Sequence, residues 1–269
     1  MAIKKYFANA DNTITSAFRE DLQTRGTGAN MGASDVLEVF SIYGQASSGS
    51  TELERILINF PIDQISQDRT NSFIPESGDV NFYLNMYNAR HNETTPRGLT
   101  LVVAPVSQSW QEGTGLDMEE YRDVTNNGAG SNWVNAAANT PWTREGGDYL
   151  TSSNYSQTFP IGNENLKIDI TSLVEEWIAG SIDNYGIGIH ITSSQEAYFS
   201  NSLGVDENSE LFNPAGSTDT WYTKKFFGKG SEFFFKRPTI EATWDSSIKD
   251  DRGNFYASSS LLPAPDNTR

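Results

Sequence analysis

The stretch "DVNFYLNMYNARH", residues 79–91, predicts the fold class. Its apolar positions are Val80, Phe82, Leu84 and Met86, and the positions between them are Asn81, Tyr83, Asn85 and Tyr87. Because successive side chains of a strand point to opposite faces of a sheet, this alternation predicts a strand with one face on a core and the other in water. Such half-covered strands are typical of antiparallel sheets.

Stretches with strand character recur along the chain, and clusters of Gly, Ser, Asn and Pro separate them. They are "DVLEVFSIYG" (35–44), "ELERILINFPI" (52–62), "GLTLVVAPV" (98–106), "NLKIDI" (165–170), "NYGIGIHIT" (184–192), "EAYFSN" (196–201) and "RPTIEATWD" (237–245). Intervening clusters such as "GQASSGS" (44–50) supply the backbone conformations that turns need. Many short strands joined by turns predict an all-β, antiparallel, jelly-roll-like β-sandwich rather than alternating strands and helices.

The same pattern predicts how the chain is organised. We expect one β-sandwich domain over residues 1–246, with long loop insertions near 111–140 and 202–227. Residues 247–269 carry no long periodic pattern and end in proline and polar residues, so we expect an extended C-terminal arm, or the start of further protein.

One segment has helical rather than strand spacing. The stretch "TSLVEEWIAG" (171–180) places four apolar side chains on one helical face: Leu173, Val174, Trp177 and Ile178. It predicts a short helix near 172–179 that closes one end of the sandwich. Ser172 and Glu175 have the spacing of a capping box, and Gly180 is a typical stop.

Charge and composition exclude several classes of partner. The chain has 35 acidic and 19 basic residues, a net charge of −16, and no cysteine. Such a charge repels phosphate backbones and anionic lipid surfaces, so we expect neither nucleic acid nor a membrane as partner. No segment reaches the roughly 18 apolar residues of a membrane span, and the start lacks an apolar run of secretory length. We therefore expect a protein made in the cytoplasm.

Catalysis finds little support in the sequence. The two histidines, His91 and His190, lie in or beside predicted strands, and no G-x-S-x-G motif is present. The acids between residues 112 and 123 offer carboxylate pairs, but such acids are common in a chain this acidic. We expect no enzymatic activity, no catalytic residue and no organic cofactor.

A calcium site is the alternative use of the acidic loop. Asp123, Asn126 and Asn127 precede Gly128 in "DVTNNGAGSN", and carboxylate and amide oxygens are what Ca²⁺ binds. Their spacing is not that of an EF-hand. The competing interpretation is that these are solvated turn residues.

Ordered blocks of sequence resemble the DNRLRE-type β-sandwich domain. The blocks are "ERILINFPI" (54–62), "VSQSWQEG" (106–113), "TPW" (140–142), "IDITSLVEEWIAGSIDNYGIGI" (168–189), "AYFSN" (197–201) and "RPTIEATW" (237–244). The chain departs from the family pattern at Asn201, where a Ser-Arg-Glu sequence is often found, and in the longer interval between Trp110 and Trp142. Separately, "ANMGASDVLEVFSIYG" (29–44), "EGTGLDMEEY" (112–121) and "KDDRGNFYASSS" (249–260) resemble structural proteins of marine tailed phages, particularly those that infect cyanobacteria.

These resemblances imply two functions. The first is a non-enzymatic structural protein of a phage virion, assembled in the host cytoplasm. There it would be a capsid decoration or a head-associated fibre or vertex component, a homo-oligomer in contact with the major capsid protein or other virion proteins. The alternative is a polysaccharide-binding module that recognises a surface glycan.

The resemblance also divides the aromatic residues into two groups. Trp110, Trp142 and Trp177 match packing positions of the family, which leaves three residues as exposed candidates for binding. Those candidates are Trp133, Trp221 and Tyr222. The acidic loop that starts after Trp110 adds the interface candidates Asp117, Glu119 and Glu120.

Overall fold

The computed structural model describes residues 1–44, 51–90, 95–117, 129–152, 154–200 and 211–246, and of Tyr222 the backbone alone. These residues form thirteen strands and two α-helices. The strands are β1 (Ala2–Phe7), β2 (Ala10–Thr15), β3 (Val36–Ile42), β4 (Glu52–Asn59), β5 (Val80–Met86), β6 (Leu99–Pro105), β7 (Asn135–Ala137), β8 (Thr140–Pro141), β9 (Tyr155–Phe159), β10 (Leu166–Asp169), β11 (Ile187–Ile191), β12 (Trp221–Phe227) and β13 (Thr239–Trp244). The helices are α1 (Ile62–Thr70) and α2 (Thr171–Ile178).

Two antiparallel sheets build the fold. One has four strands in the order β1-β13-β5-β10. The other has the order β12-β3-β4-β11-β6-β9, with β2 also paired to β4, while β7 and β8 form a separate hairpin. All pairings between these strands are antiparallel. The all-β sandwich class predicted from the sequence is confirmed.

The main core contains inward-facing side chains from both sheets. Along β5 the alternate residues from Val80 to Met86 are buried, whereas Asn81 between them is exposed, as the sequence pattern predicts. Ile240 and Ala242 of β13 contribute to the same core from the four-stranded sheet. Ile56 and Ile58 of β4 contribute from the larger sheet.

A second apolar cluster involves β4 on its other face. Leu53 and Leu57 belong to this cluster, whereas Ile56 and Ile58 belong to the main core. Because odd and even residues of a strand face opposite ways, β4 is buried on both sides. The segment containing Trp133 covers the second face. This explains why the three consecutive residues Ile56, Leu57 and Ile58 of β4 are all apolar.

Helix α2 lies one residue from its predicted position, and its apolar face is buried as expected. The predicted capping box is wrong, because no side chain caps the helix. Asp169 Oδ1 instead accepts a hydrogen bond from Thr171 N at 2.9 Å, and Ser172 Oγ pairs with Tyr155 OH at 2.7 Å. Short helices take such local alternatives readily, since these side chains bond to whichever nearby group is available.

Three further departures from the sequence expectations concern whole elements. Helix α1 was not predicted; it buries Ile62 and Ile65, and Arg69 joins it to α2 through a two-bond pair with Glu175 at 2.6 and 2.7 Å. The predicted insertion 202–227 is wrong at its C-terminal end, because residues 221–227 form β12 on the edge of the larger sheet. The strand predicted at 196–201 is represented by isolated bridges at Ala197 and Phe199.

Candidate functional site

The two ends of the acidic stretch around residue 120 are fixed to the body by buried polar side chains. We call Asn12, Asn30, Asp117 and Ser131 the anchoring cluster; each is at most 1% exposed. The side-chain amide of Asn30 donates to Glu112 O at 2.8 Å and to Ser131 O at 2.7 Å. Its oxygen accepts from the backbone N–H groups of Gly32 and Gly115. One buried amide therefore joins three segments of chain.

Asp117 and Asn12 complete the anchoring cluster. Asp117 Oδ2 accepts from Asn30 N at 3.1 Å, and Asp117 N donates back to Asn30 O at 3.2 Å. Asn12 donates to the backbone oxygen and hydroxyl of Ser131, both at 2.8 Å, and accepts from Met31 N at 2.9 Å. The expectation that Asp117 faces a partner is wrong, since its carboxylate is buried inside this network.

The two ends of the acidic stretch also pack against each other, backbone against backbone. Gly113 and Gly130 both have positive φ, of 80° and 87°. A Cβ added to Gly130 would lie 2.5 Å from the Cα of Gly113. Only glycine combines this conformation with so close an approach. Gly113 and Gly130 thus allow the two ends of the acidic stretch to pack together.

A charged group adjoins the anchoring cluster. Asp11 N donates to Glu112 Oε1 at 2.8 Å, and Lys229 Nζ lies 2.9 Å from the same oxygen. Lys229 N donates to Asp11 Oδ2. Burial is the main cause that raises the pKa of Asp11, to about 7, and Glu112 raises it further while Lys229 lowers it. The Asp11 carboxyl group is therefore mostly protonated below about pH 7.

The sequence-predicted exposed aromatics are placed differently from expectation. Trp133 is fully buried in the second apolar cluster, so the prediction that it faces solvent is wrong. Its ring packs beside the Arg55 guanidinium, 5.2 Å from the ring centroid, and its backbone bonds to Thr27 and Gly146.

The other tryptophans are buried to different extents. Trp221 is half-buried against the main core, with a buried indole N–H. Trp142 and Trp177 are buried as predicted, and Trp110 is partly buried.

The remaining predicted site residues lie outside the described part of the structure. They are Glu119, Glu120, Asp123, Asn126 and Asn127, together with the side chain of Tyr222. In the part that is described, no three His, Asp or Glu side chains come together in a way that would hold a metal ion.

A surface pocket lies beside Trp133, and sequence reasoning did not predict it. Its volume is about 360 Å³. The lining includes Arg55, Ser107, Arg144, Glu145, Asp148 and Tyr149. It therefore combines two guanidinium groups and two carboxylates with a phenol ring, a mixture that suits a polar, hydroxyl-bearing ligand.

Buried charges hold the inner wall of this pocket. Arg55 pairs with Glu196 at 3.4 Å, both side chains being 12% exposed, and donates to Gly146 O at 3.0 Å. Tyr149 OH donates to the same carbonyl at 2.8 Å, and its ring centroid lies 5.5 Å from that of His190. The wall is thus fixed by contacts within the chain.

Burial also determines the protonation states of two groups at this wall. It raises the pKa of Tyr149 to about 12, so the phenol stays protonated at neutral pH. Burial is likewise the main cause that lowers the pKa of His190, which favours the neutral imidazole. Tyr149, which lines the pocket, and His190 beside it therefore add no net charge to this wall.

The sequence did contain one signal for this pocket. Arg55 is a charged residue in an apolar strand and shares a strand face with Leu53 and Leu57. A buried Arg in such a position needs an acidic partner. That partner, Glu196, is 141 residues away, so the strand pattern alone does not identify it.

Comparisons with known proteins add no relative: no family model matches the chain, and no curated protein matches it. The resemblances to DNRLRE-type domains and to phage structural proteins therefore stay predictions. None of the helices in the described ranges has the length and apolar character needed to cross a bilayer.

Proposed function

We propose that this chain is a non-enzymatic structural protein of a tailed-phage virion, a capsid decoration or a head-associated fibre or vertex component. The observation that carries the proposal is the anchoring cluster. Its polar side chains form hydrogen bonds within the chain. In an active site such side chains would instead face the substrate. A frame fixed in this way suits a protein whose task is to hold contacts in place.

Two buried carboxyl groups support the same proposal. Asp11 and Glu54 are at most 1% exposed, and burial raises the pKa of both carboxyl groups. A general acid must come within hydrogen-bonding distance of the group that it protonates. In their present positions both carboxyls are enclosed by the protein.

The test is the composition of purified particles. We expect quantitative mass spectrometry of gradient-purified virions to find the chain in a fixed ratio to the major capsid protein. The protein itself should not hydrolyse host polysaccharides. Particles that lack the chain, while lysate or medium contains it, would reject the proposal.

The pocket beside Arg55 favours a second candidate function, the binding of a surface polysaccharide. Its wall includes Ser107, Arg144 and the Tyr149 ring. Sugars carry many hydroxyl groups and bind to surfaces that offer such polar and aromatic groups together. Glycan-array or calorimetric binding by the wild-type chain that Arg144→Ala abolishes would support this function. Binding that Arg144→Ala leaves unchanged would place any glycan elsewhere.

A further inference from the structure

Three consecutive phenylalanines are exposed at one end of the four-stranded sheet. Phe233, Phe234 and Phe235, which we call the phenylalanine patch, are 50%, 48% and 84% exposed. They lie at the start of a 3-10 turn, Phe234–Lys236, that leads into β13. At about 200 Å² for each ring, the exposed surface is roughly 350 Å². A patch of this size is comparable to the largest apolar patch on a typical soluble monomer, and that patch is often functional.

The phenylalanine patch has a fixed shape. The ring of Phe234 lies 4.4 Å from that of Phe7 on β1, and Phe233 packs edge-on against Phe227 at 5.5 Å. Arg237 Nε donates to Ser231 O at 2.8 Å, which closes the turn. Because these rings are already ordered, binding a partner would cost little conformational entropy at the patch.

The charge around the patch is opposite to that of the whole chain. Residues 223–238 contain five Lys or Arg and one Glu, whereas the chain as a whole carries −16. Lys224 is buried, and Lys225 and Lys229 pair with glutamates. Lys236 and Arg237 instead lie against the phenylalanine rings, and neither takes part in a salt bridge between described residues. The patch is therefore apolar with a cationic border.

We propose that the phenylalanine patch binds an acidic surface on a second copy of this chain. A copy offers that surface abundantly, because its charge outside residues 223–238 is even more negative than −16. Two patches facing each other would bring like charges together, so the contact is between different surfaces of the two copies. Contacts of this kind form closed rings or open chains.

The size of the patch defines its role in that contact. A stable interface buries about 800 Å² on each partner, so the patch is its apolar centre and polar residues form the rim. Phe235, the most exposed ring, is the anchor that a partner would cover. An anionic lipid surface would offer the same charge complementarity to the cationic border, and the vesicle measurement below distinguishes it from a second copy.

Sedimentation velocity of the full chain over a wide concentration range tests the proposal. We expect wild-type protein to self-associate. Phe235→Ser should raise the dissociation constant by about tenfold or more, because it removes a central aromatic contact. Lys236→Glu should also weaken association. Raising the salt concentration from about 0.1 M to about 1 M shortens the Debye length from about 10 Å to about 3 Å and should weaken it too.

Phe73→Ser is the matched control. Phe73 is 62% exposed, a fraction between those of Phe233 and Phe235, and its ring lies beside Lys4. This variant should associate like the wild type. A monomeric wild type, or equal association of the Phe235→Ser and wild-type proteins, would overturn the proposal. Phe235-dependent binding of a monomeric chain to anionic vesicles would overturn it in favour of a lipid surface.

Discussion

Replacing Asn30 with Ala removes the centre of the anchoring cluster. Asn30 is 1% exposed, and its side chain makes four hydrogen bonds to backbone groups. In the variant Ser131 O keeps the Asn12 amide as a partner. Gly32 N, Gly115 N and Glu112 O lose the Asn30 partner.

The expected cost follows from these lost bonds. Each buried group without its partner costs about 1–3 kcal/mol, and partial relaxation of the loops recovers some of that energy. We therefore expect Asn30→Ala to lower the free energy of unfolding by about 3–5 kcal/mol. Asn30→Asp should cost at least as much, because a carboxylate oxygen would then face the carbonyls of Glu112 and Ser131.

Urea denaturation followed by tryptophan fluorescence measures this loss. Asn81→Ala is the control, since Asn81 is exposed on β5, and it should change stability by less than about 0.5 kcal/mol. Hydrogen exchange should also quicken at the amides of Gly32 and Gly115. A loss below about 1 kcal/mol with unchanged exchange at these amides would refute the assigned role of Asn30.

Three further predictions concern buried side chains. Trp177→Ala should lower the free energy of unfolding by about 3–5 kcal/mol, because it empties a buried aromatic site; an unchanged melting temperature would contradict this. Asp11 has a pKa of about 7 against 3.8 normally, so the folded state holds its proton more tightly, and its contribution to stability is lost as pH rises from about 4 through 7. When the pH falls from 8 to 4, the free energy of unfolding of the wild type should therefore rise by up to about 4 kcal/mol relative to that of Asp11→Asn. Parallel pH profiles of unfolding free energy for the two proteins would contradict this prediction. Lys224→Met should cost about 2–4 kcal/mol in thermal denaturation, since Asn88 Oδ1 and two backbone carbonyls lose their donor; a variant as stable as the wild type would contradict the prediction.

Strand periodicity and helical spacing predicted the main core because those signals are local. The alternation along β5 and the apolar face of α2 both read directly from neighbouring residues. Helix α1 escaped prediction because Ile62 and Ile65 are its only buried apolar side chains, and Ile62 read as the last apolar residue of the stretch that contains β4.

The candidate site was harder to predict because its contacts are distant in sequence. Trp133 stands among polar loop residues, yet it covers the second face of β4. Asn30 meets Glu112 and Ser131 across 82 and 101 residues. A polar residue in a loop gives no local sign that its side chain is buried, so Asp117 also read as a surface acid.

An image of purified virions in which this chain can be traced tests the central claim most directly. Electron cryomicroscopy should place the two-sheet fold at regularly repeated positions on the particle, in contact with neighbouring virion proteins. Complete, infectious particles without density for this fold would contradict the account.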